Sequence, residues 1–398
     1  MSKRKKQKQK QNTEEEGPQI LGRFSGNLKM GLVGISSCGK SLTYDVLSRK
    51  QVAKEEKQDL NMKKKKENQF EARCLLQDPR HDFLTNLYQP KKTTPTYLLV
   101  QDFDSFGENS SGFDNSMLTA IQSVDGFFHV VRAFSSRTIH HPLGSVDPVR
   151  DMEIVESELI QRDIQGIIKK IASLEKQLRN VKDLKKNEDL QMLKVFKQYL
   201  EEKNLPIRQG KWSNKEIFFL NTLALFSSKP VVYLVNISVK DFKRKGNKHL
   251  RKIMEWVKKR TNEPIIPFCP IYEDELFYAT EEEKEKEGFK TVIPKIISTG
   301  FTRLNLITYF TVGKDEVKSW KCRKGSNAPQ AAGVIHTSIE KTFIAAEVFH
   351  YNDIFELGSE QKVRKAGKFR REGKKYIVKD GDCIEFINNK TSTTKKKK

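Results

Sequence analysis

Gly34-Ile35-Ser36-Ser37-Cys38-Gly39-Lys40-Ser41 lies between an apolar run, Leu28-Lys29-Met30-Gly31-Leu32-Val33, and a stretch from Leu42 to Lys50 with helical periodicity. Gly, four residues, then Gly-Lys-Ser is the spacing of a phosphate-binding loop. A buried strand before it and a helix behind it are the context that gives the spacing meaning. Gly34 and Gly39 let the backbone curl so that its N–H groups face phosphate oxygens. The expected ligand contacts are Ser37, Cys38, Gly39, Lys40, Ser41 and Leu42. Among them Lys40 is the catalytic candidate, a point charge on the β- and γ-phosphates, and the Ser41 hydroxyl is suited to Mg²⁺. The ligand these residues imply is a nucleoside triphosphate.

The chain of 398 residues is long enough for two or three packed domains. A hydrophobic fraction of 36% supports globular cores, and 31% charged residues call for large solvated surfaces. Lys and Arg number 74 against 51 Asp and Glu, a net charge of +23. That excess favours a polyanionic partner, with RNA the first candidate. The basic head, residues 1–11, and the four terminal lysines hold only part of the surplus, so the folded body is expected to be basic. No apolar run reaches the length of a membrane span, and the N-terminus lacks the apolar core of a secretory signal. Five cysteines, Cys38, Cys74, Cys269, Cys322 and Cys383, show no paired spacing, which suggests neither a disulfide framework nor a zinc site. A reducing, cytoplasmic compartment is expected; the basic head also admits a nuclear reading. A monomer is the favoured assembly.

Thr96-Tyr97-Leu98-Leu99-Val100, Gly126-Phe127-Phe128-His129-Val130-Val131, Pro230-Val231-Val232-Tyr233-Leu234-Val235 and Pro264-Ile265-Ile266-Pro267-Phe268 read as further buried strands. Strands alternating with helical segments predict an α/β layer with a mainly parallel sheet, whose ligands sit at the carboxyl ends of the strands. An insertion interrupts this pattern. Ile164, Ile167, Ile168, Ile171, Leu174, Leu178, Val181 and Leu184 recur at three- and four-residue steps, and after the polar break at residues 185–188 so do Leu190, Leu193, Phe196 and Leu200. This predicts two antiparallel helices closing a narrow seam. Beyond about residue 305, Leu306 to Val312, Lys375 to Val378 and Asp382 to Phe386 are strand-like, with a turn at Asp380-Gly381 between the last two. Residues 1–27 are charge-dense and poor in apolar groups, a composition expected to be disordered.

Several of these stretches together resemble the Obg-like ATPases, the YchF type. The most specific are Asn327-Ala328-Pro329-Gln330-Ala331-Ala332-Gly333-Val334-Ile335-His336-Thr337 and Glu340-Lys341-Thr342-Phe343-Ile344, which look like the TGS domain of that family. Arg132-Ala133-Phe134, Gly144-Ser145-Val146-Asp147-Pro148, Ser228-Lys229-Pro230 and Tyr233-Leu234-Val235-Asn236 continue the likeness. The resemblance implies a P-loop G domain of the OBG type over residues 28–304, with a coiled-coil arm inserted at about 148–212. It also implies a β-rich, β-grasp-like TGS domain over 305–389 and a Lys-rich tail from 390 to 398. Family members associate with ribosomes and prefer ATP.

Nucleotide choice follows from chemistry as well. GTPases read guanine with an Asn/Thr-Lys-x-Asp box, whose carboxylate accepts from the guanine N–H groups. Here the sequence is Asn236-Ile237-Ser238-Val239, and without that carboxylate the guanine donors are left unpaired, a penalty of several kcal/mol at a buried site. Asn236 and Ile237 match positions that contact adenine in the family, while Val239 departs from the family's Glu. The switches depart too. The first-switch Thr falls near Lys66, inside Lys63-Lys64-Lys65-Lys66, and an ammonium group cannot ligate Mg²⁺. The second switch, normally Asp-x-Ala-Gly, reads Asp102-Phe103-Asp104-Ser105, in which Asp102 is still suited to the Mg²⁺ water shell. Two functions remain open: a slow, Mg²⁺-dependent ATPase that acts on the ribosome, or a nucleotide-binding, ribosome- or RNA-binding module with little or no hydrolysis.

Overall fold

Val33 ends a strand whose last four residues are all buried, because layers of structure cover both of its faces. The computed structural model describes residues 20–55, 71–103, 115–179, 183–260, 263–280, 282–284, 288 and 290–389. The strands up to residue 268 are β1 (Lys29–Val33), β2 (Glu71–Leu75), β3 (Lys92–Thr94), β4 (Tyr97–Gln101), β5 (Gly126–Arg132), β6 (Val231–Asn236) and β7 (Ile265–Phe268). All but β3 form one sheet in the order β2-β4-β1-β5-β6-β7. Its ladders are parallel except at β2, which runs antiparallel to β4 as an edge. The four runs read as further buried strands fall on β4 to β7, and seven consecutive buried residues make up β5.

Strands β8 (Leu306–Thr311), β9 (Glu316–Arg323), β10 (Phe343–His350), β11 (Arg370–Glu372) and β12 (Asp382–Asn388) build a second mixed sheet in the order β11-β10-β12-β8-β9-β3. Its edge comes from far upstream: β3 pairs parallel to β9 through Lys92, Thr93 and Thr94. Lys375 to Val378 is not the strand expected. Only Ile377 makes a bridge, to Asn327, and the Val378 N–H donates to Ser326 O while Tyr376 O accepts from Ala328 N. The loop at 326–328 has taken the main-chain groups that a ladder would have needed. The expected tail also ends early: the Gly22 N–H donates to Asn221, Arg23 pairs with Asp125, and Arg323 donates to Leu21 O.

Helices α1 (Lys40–Glu55) and α2 (Asn115–Ser123) belong to the first layer, and α3 (Pro148–Leu178) and α4 (Leu184–Lys203) pack on each other beyond it. Asp147 caps α3 with proline in its first turn. Asp183 caps α4 by accepting from Lys185 N and Lys186 N. Residues 185–188 are therefore the first turn of α4 rather than a break between helices, because the capping carboxylate satisfies that turn's N–H groups. Leu184, counted in the seam, is instead 86% exposed, and Val181 lies outside the described residues. The apolar contacts that hold the pair are Ile160, Ile164 and Ile167 against Leu193, Phe196 and Leu200.

An ion network roots this pair on the sheet. Arg208 reaches Glu156 on α3 at 2.7 Å and Glu263 before β7 at 2.9 Å. Arg260 also meets Glu156, Arg303 meets Glu263, and Glu263 accepts the Val231 N–H at the start of β6.

His129 on β5 is buried beside Tyr233, and burial, with the Arg208 charge adding to it, pushes its imidazole down to about 3. The ring is neutral in the fold, whereas in the unfolded chain it takes a proton below its ordinary value of 6.5. Its contribution to stability is thus complete above pH 6.5 and is lost as pH falls from there toward 3, by about 1.4 kcal/mol per unit. Urea unfolding between pH 7.5 and 5 is expected to show a steeper acid decline for the parent than for His129→Phe. Parallel curves would remove His129 as the cause.

Candidate functional site

The phosphate loop leaves the carboxyl end of β1 and enters α1 at Lys40. It passes so close to β5 that a Cβ on Gly34 would lie 2.6 Å from Val130 O and 2.8 Å from Cys38 Sγ. At Gly39 the backbone takes φ +93°, and a Cβ there would stand 2.4 Å from Asn236 Nδ2. Ser37 adopts φ +62°, a left-handed conformation that a residue with a Cβ visits at a cost.

Three outward-facing carbonyls of the loop have dedicated donors. Arg132 Nη1 donates to Ser37 O at 3.1 Å, Asn236 Nδ2 donates to Cys38 O at 2.9 Å, and Thr43 donates to Gly39 O through its Oγ1 at 2.8 Å and its N–H at 3.0 Å. In a trans peptide the C=O and the following N–H point to opposite sides. Holding the carbonyls of Ser37, Cys38 and Gly39 therefore aims the N–H groups of Cys38, Gly39 and Lys40 away from those donors. Successive N–H groups turned one way, at the start of a helix, make a concave site for an anion.

Lys40 is buried, with its side chain 3% exposed, and its Nζ lies 3.4 Å from Asp102 Oδ1 just past β4. Desolvation pushes the Asp102 carboxyl above its ordinary value; Lys40 and the Phe103 N–H, which donates to Oδ1 at 2.9 Å, pull the other way. Ser41 is exposed in the first turn of α1 and Leu42 half-buried. Burial raises the Cys38 thiol to about 12, so it packs rather than reacts.

The residues read from sequence meet in part. Lys40 and Asp102 form an ion pair, and Asn236 joins Cys38. The Ile237 side chain is buried in the main core and its N–H is spent on Phe268 O. The lysine run Lys63-Lys64-Lys65-Lys66 and the second-switch residues Asp104 and Ser105 lie outside the described residues. Sequence reading gave Arg132 and Thr43 no role. The signal for Arg132 was there: a cation ends a strand of seven buried residues. A cleft of about 1510 Å³ is bordered by Arg23, Asp125, Phe218, Lys229 and Ile377. Asp125 and Lys229 precede β5 and β6, so this cleft faces the opposite ends of the strands from the phosphate loop.

Comparison with known proteins agrees with this geometry. The family model YchF-GTPase_C, described as a protein of unknown function, matches residues 306–389. The chain is 42% identical over 384 residues to Obg-like ATPase 1 of Oryza sativa subsp. japonica, covering 95% of this chain and 96% of the relative. It is 41% identical over 389 residues to Obg-like ATPase 1 of Homo sapiens, covering 96% and 97%. The solved structure of the Schizosaccharomyces pombe YchF GTPase superposes with a TM-score of 0.83 at 37% identity, over 92% of this chain and all of that one. A GTP-binding protein from Pyrococcus horikoshii shares the fold at a TM-score of 0.53 and 17% identity. With its loop geometry, its two sheets and full-length relatives near 40% identity, this chain belongs to the Obg-like ATPase, or YchF, family of P-loop nucleotide-binding proteins.

Proposed function

We propose that the chain binds ATP with Mg²⁺ and hydrolyses it slowly, and that the helical pair at about 148–212 and the TGS-like module at 305–389 carry the nucleotide state to a ribosome or RNA. The observation that carries the reading is the pinned loop: three carbonyls tied back, with a buried Lys40 facing Asp102. The loop N–H groups bind the triphosphate, and Lys40 offsets charge on its β- and γ-oxygens. Preference for ATP follows from Val239, which offers guanine no acceptor. Ile237, buried by its side chain, would meet adenine through its main chain.

The donor set suits Mg²⁺. An exposed hydroxyl on Ser41 and a carboxyl on Asp102, raised by desolvation and so able to gain from a further cation, make the short protein ligand list this ion takes when phosphates and water complete its shell. Ser41 would hold the ion directly and Asp102 through its water shell, and the ion would supply positive charge against the phosphate oxygens. Five free cysteines, all buried, accord with a reducing compartment, and no described helix is long and apolar enough to cross a membrane. A monomer is proposed.

The alternative, a nucleotide-binding module that does not turn over, is favoured by the altered second switch, where Asp104-Ser105 stands for Ala-Gly. Steady-state phosphate release by the purified chain, with Lys40→Ala as blank, separates the two. Release from ATP clearly above the blank, with release from GTP close to the blank, is expected. Rates equal to the blank despite saturable ATP binding would assign the chain to the alternative. RNA binding is expected to weaken steeply with added salt, and a flat response would reject contacts to the phosphate backbone.

A further inference from the structure

Arg132 is 1% exposed, yet its hydrogen bonds go to main-chain carbonyls. Nη1 donates to Ser37 O at 3.1 Å and His140 O at 3.2 Å, Nη2 to Ile139 O at 2.7 Å, and Nε to Phe134 O at 3.4 Å. Its guanidinium also lies over the Phe134 ring, 4.5 Å from the centroid. Burying a cation costs several kcal/mol unless its donors are met. A rigid planar fork that meets them with carbonyls from two separate loops is held in place, and so holds what it touches. The far loop is itself fixed, because His141 Nε2 lies 2.9 Å from Asp151 Oδ2 in the first turn of α3.

We infer that Arg132 is a positioning residue for the phosphate site: a strut that fixes the Ser37–Cys38 peptide with its N–H turned to the phosphates. The inference rests on reading the loop as an ATP site. Ser37 supplies the need. A non-glycine residue at φ +62° is strained and stays there only when its surroundings over-determine it. Turning this peptide over, a rotation about ψ of Ser37 and φ of Cys38, would point the Cys38 N–H out of the site and break the Arg132 bond. Asn236 fixes the next peptide, and neither donor can substitute for the other, because each carbonyl has its own. A guanine-reading box would place lysine at Ile237. Here that position has no side-chain donor, and the cation beside the loop's outer face comes from the neighbouring strand instead.

The test is calorimetric titration of the full chain with ATP, with inorganic tripolyphosphate and with adenosine. Arg132→Met keeps the stem over Phe134 and removes the donors. It is expected to weaken ATP and tripolyphosphate by about 10- to 100-fold, the loss of one charged hydrogen bond. Adenosine binding should be unchanged. Arg132→Lys keeps a cation with a single donor nitrogen but not the fork that spans Ser37 and Ile139, and is expected to fall between the parent and the methionine variant. Urea midpoints measured alongside separate a general loss of stability, which lowers the folded fraction, from a lower affinity of the folded protein. Parental tripolyphosphate affinity in folded Arg132→Met overturns the strut, as does an equal loss for adenosine and ATP. Should the methionine variant not fold, parental affinity in Arg132→Lys overturns it. A parent chain that binds no ATP defeats the nucleotide reading itself, a result distinct from parental affinity in a variant.

Discussion

Gly39→Ala is expected to abolish measurable ATP binding while leaving the fold intact. Two costs coincide at this position. The backbone sits at φ +93°, which alanine adopts only under strain of about 1–3 kcal/mol. The new methyl would also stand 2.4 Å from Asn236 Nδ2, the amide that braces Cys38 O. Asn236 is buried and cannot swing into solvent, so the brace is lost and a buried donor is left without its acceptor, another 1–3 kcal/mol or so. The loop escapes both costs by opening, which destroys the anion site but disturbs little of the core beneath it. The expected loss is about 100-fold in affinity or more. Calorimetry with ATP, together with an urea midpoint near the parent's, checks it. An affinity within a few-fold of the parent's would mean that the described loop is not the one that binds nucleotide.

The largest stability effect is expected at Arg208→Met. The Arg208 side chain is 6% exposed and bridges two carboxylates that are buried as deeply. Removing the cation leaves Glu156 to Arg260 and Glu263 to Arg303, both arginines partly in water. A buried pair broken on one side costs about 3–5 kcal/mol, mostly from the charge left behind. Neutralising the stranded partners in the triple variant Arg208→Met, Glu156→Gln, Glu263→Gln is therefore expected to recover a large part of that loss. Urea unfolding of both variants tests it. A single variant within 1 kcal/mol or so of the parent would show that Arg260 and Arg303 suffice. A triple variant worse than the single would show that the network's worth lies in its hydrogen bonds. Because Glu156 is on α3 and Glu263 accepts from the first residue of β6, the same variant is expected to loosen the helical pair from the sheet.

Much of the first sheet was legible because its strands are covered on both faces. Unbroken apolar runs such as Phe127-Phe128 and Val231-Val232 cannot be solvated, so composition alone marks them as interior. The phosphate loop was legible for a related reason: two glycines and a lysine at fixed spacing answer to local backbone geometry, which the chain carries with it. The reading failed where an element's main-chain or capping partner was not taken into account, most often because that partner lay far along the chain. Lys375 to Val378 has strand-like composition, but its hydrogen bonds were taken by residues 326–328. Lys185 to Glu188 reads as a polar break until Asp183 is seen capping it. Residues 20–27 read as tail until Arg323, three hundred residues away, is found holding them.

The sequence by itself determined that this chain has a phosphate loop on an α/β sheet, that residues 236–239 lack the carboxylate of a guanine-reading box, and which family it resembles. Each of these is written in neighbouring residues, where strand, turn and helix preferences act over a few peptide units. Tertiary structure alone decided that Arg132 and Asn236 hold the carbonyls of Ser37 and Cys38, how Arg208 ties the helical pair to the sheet, and that β3 sits on the second sheet rather than the first. Those are contacts between residues tens to hundreds of positions apart. They are fixed by the cost of leaving buried donors, acceptors and charges unpaired, and no local preference encodes that cost.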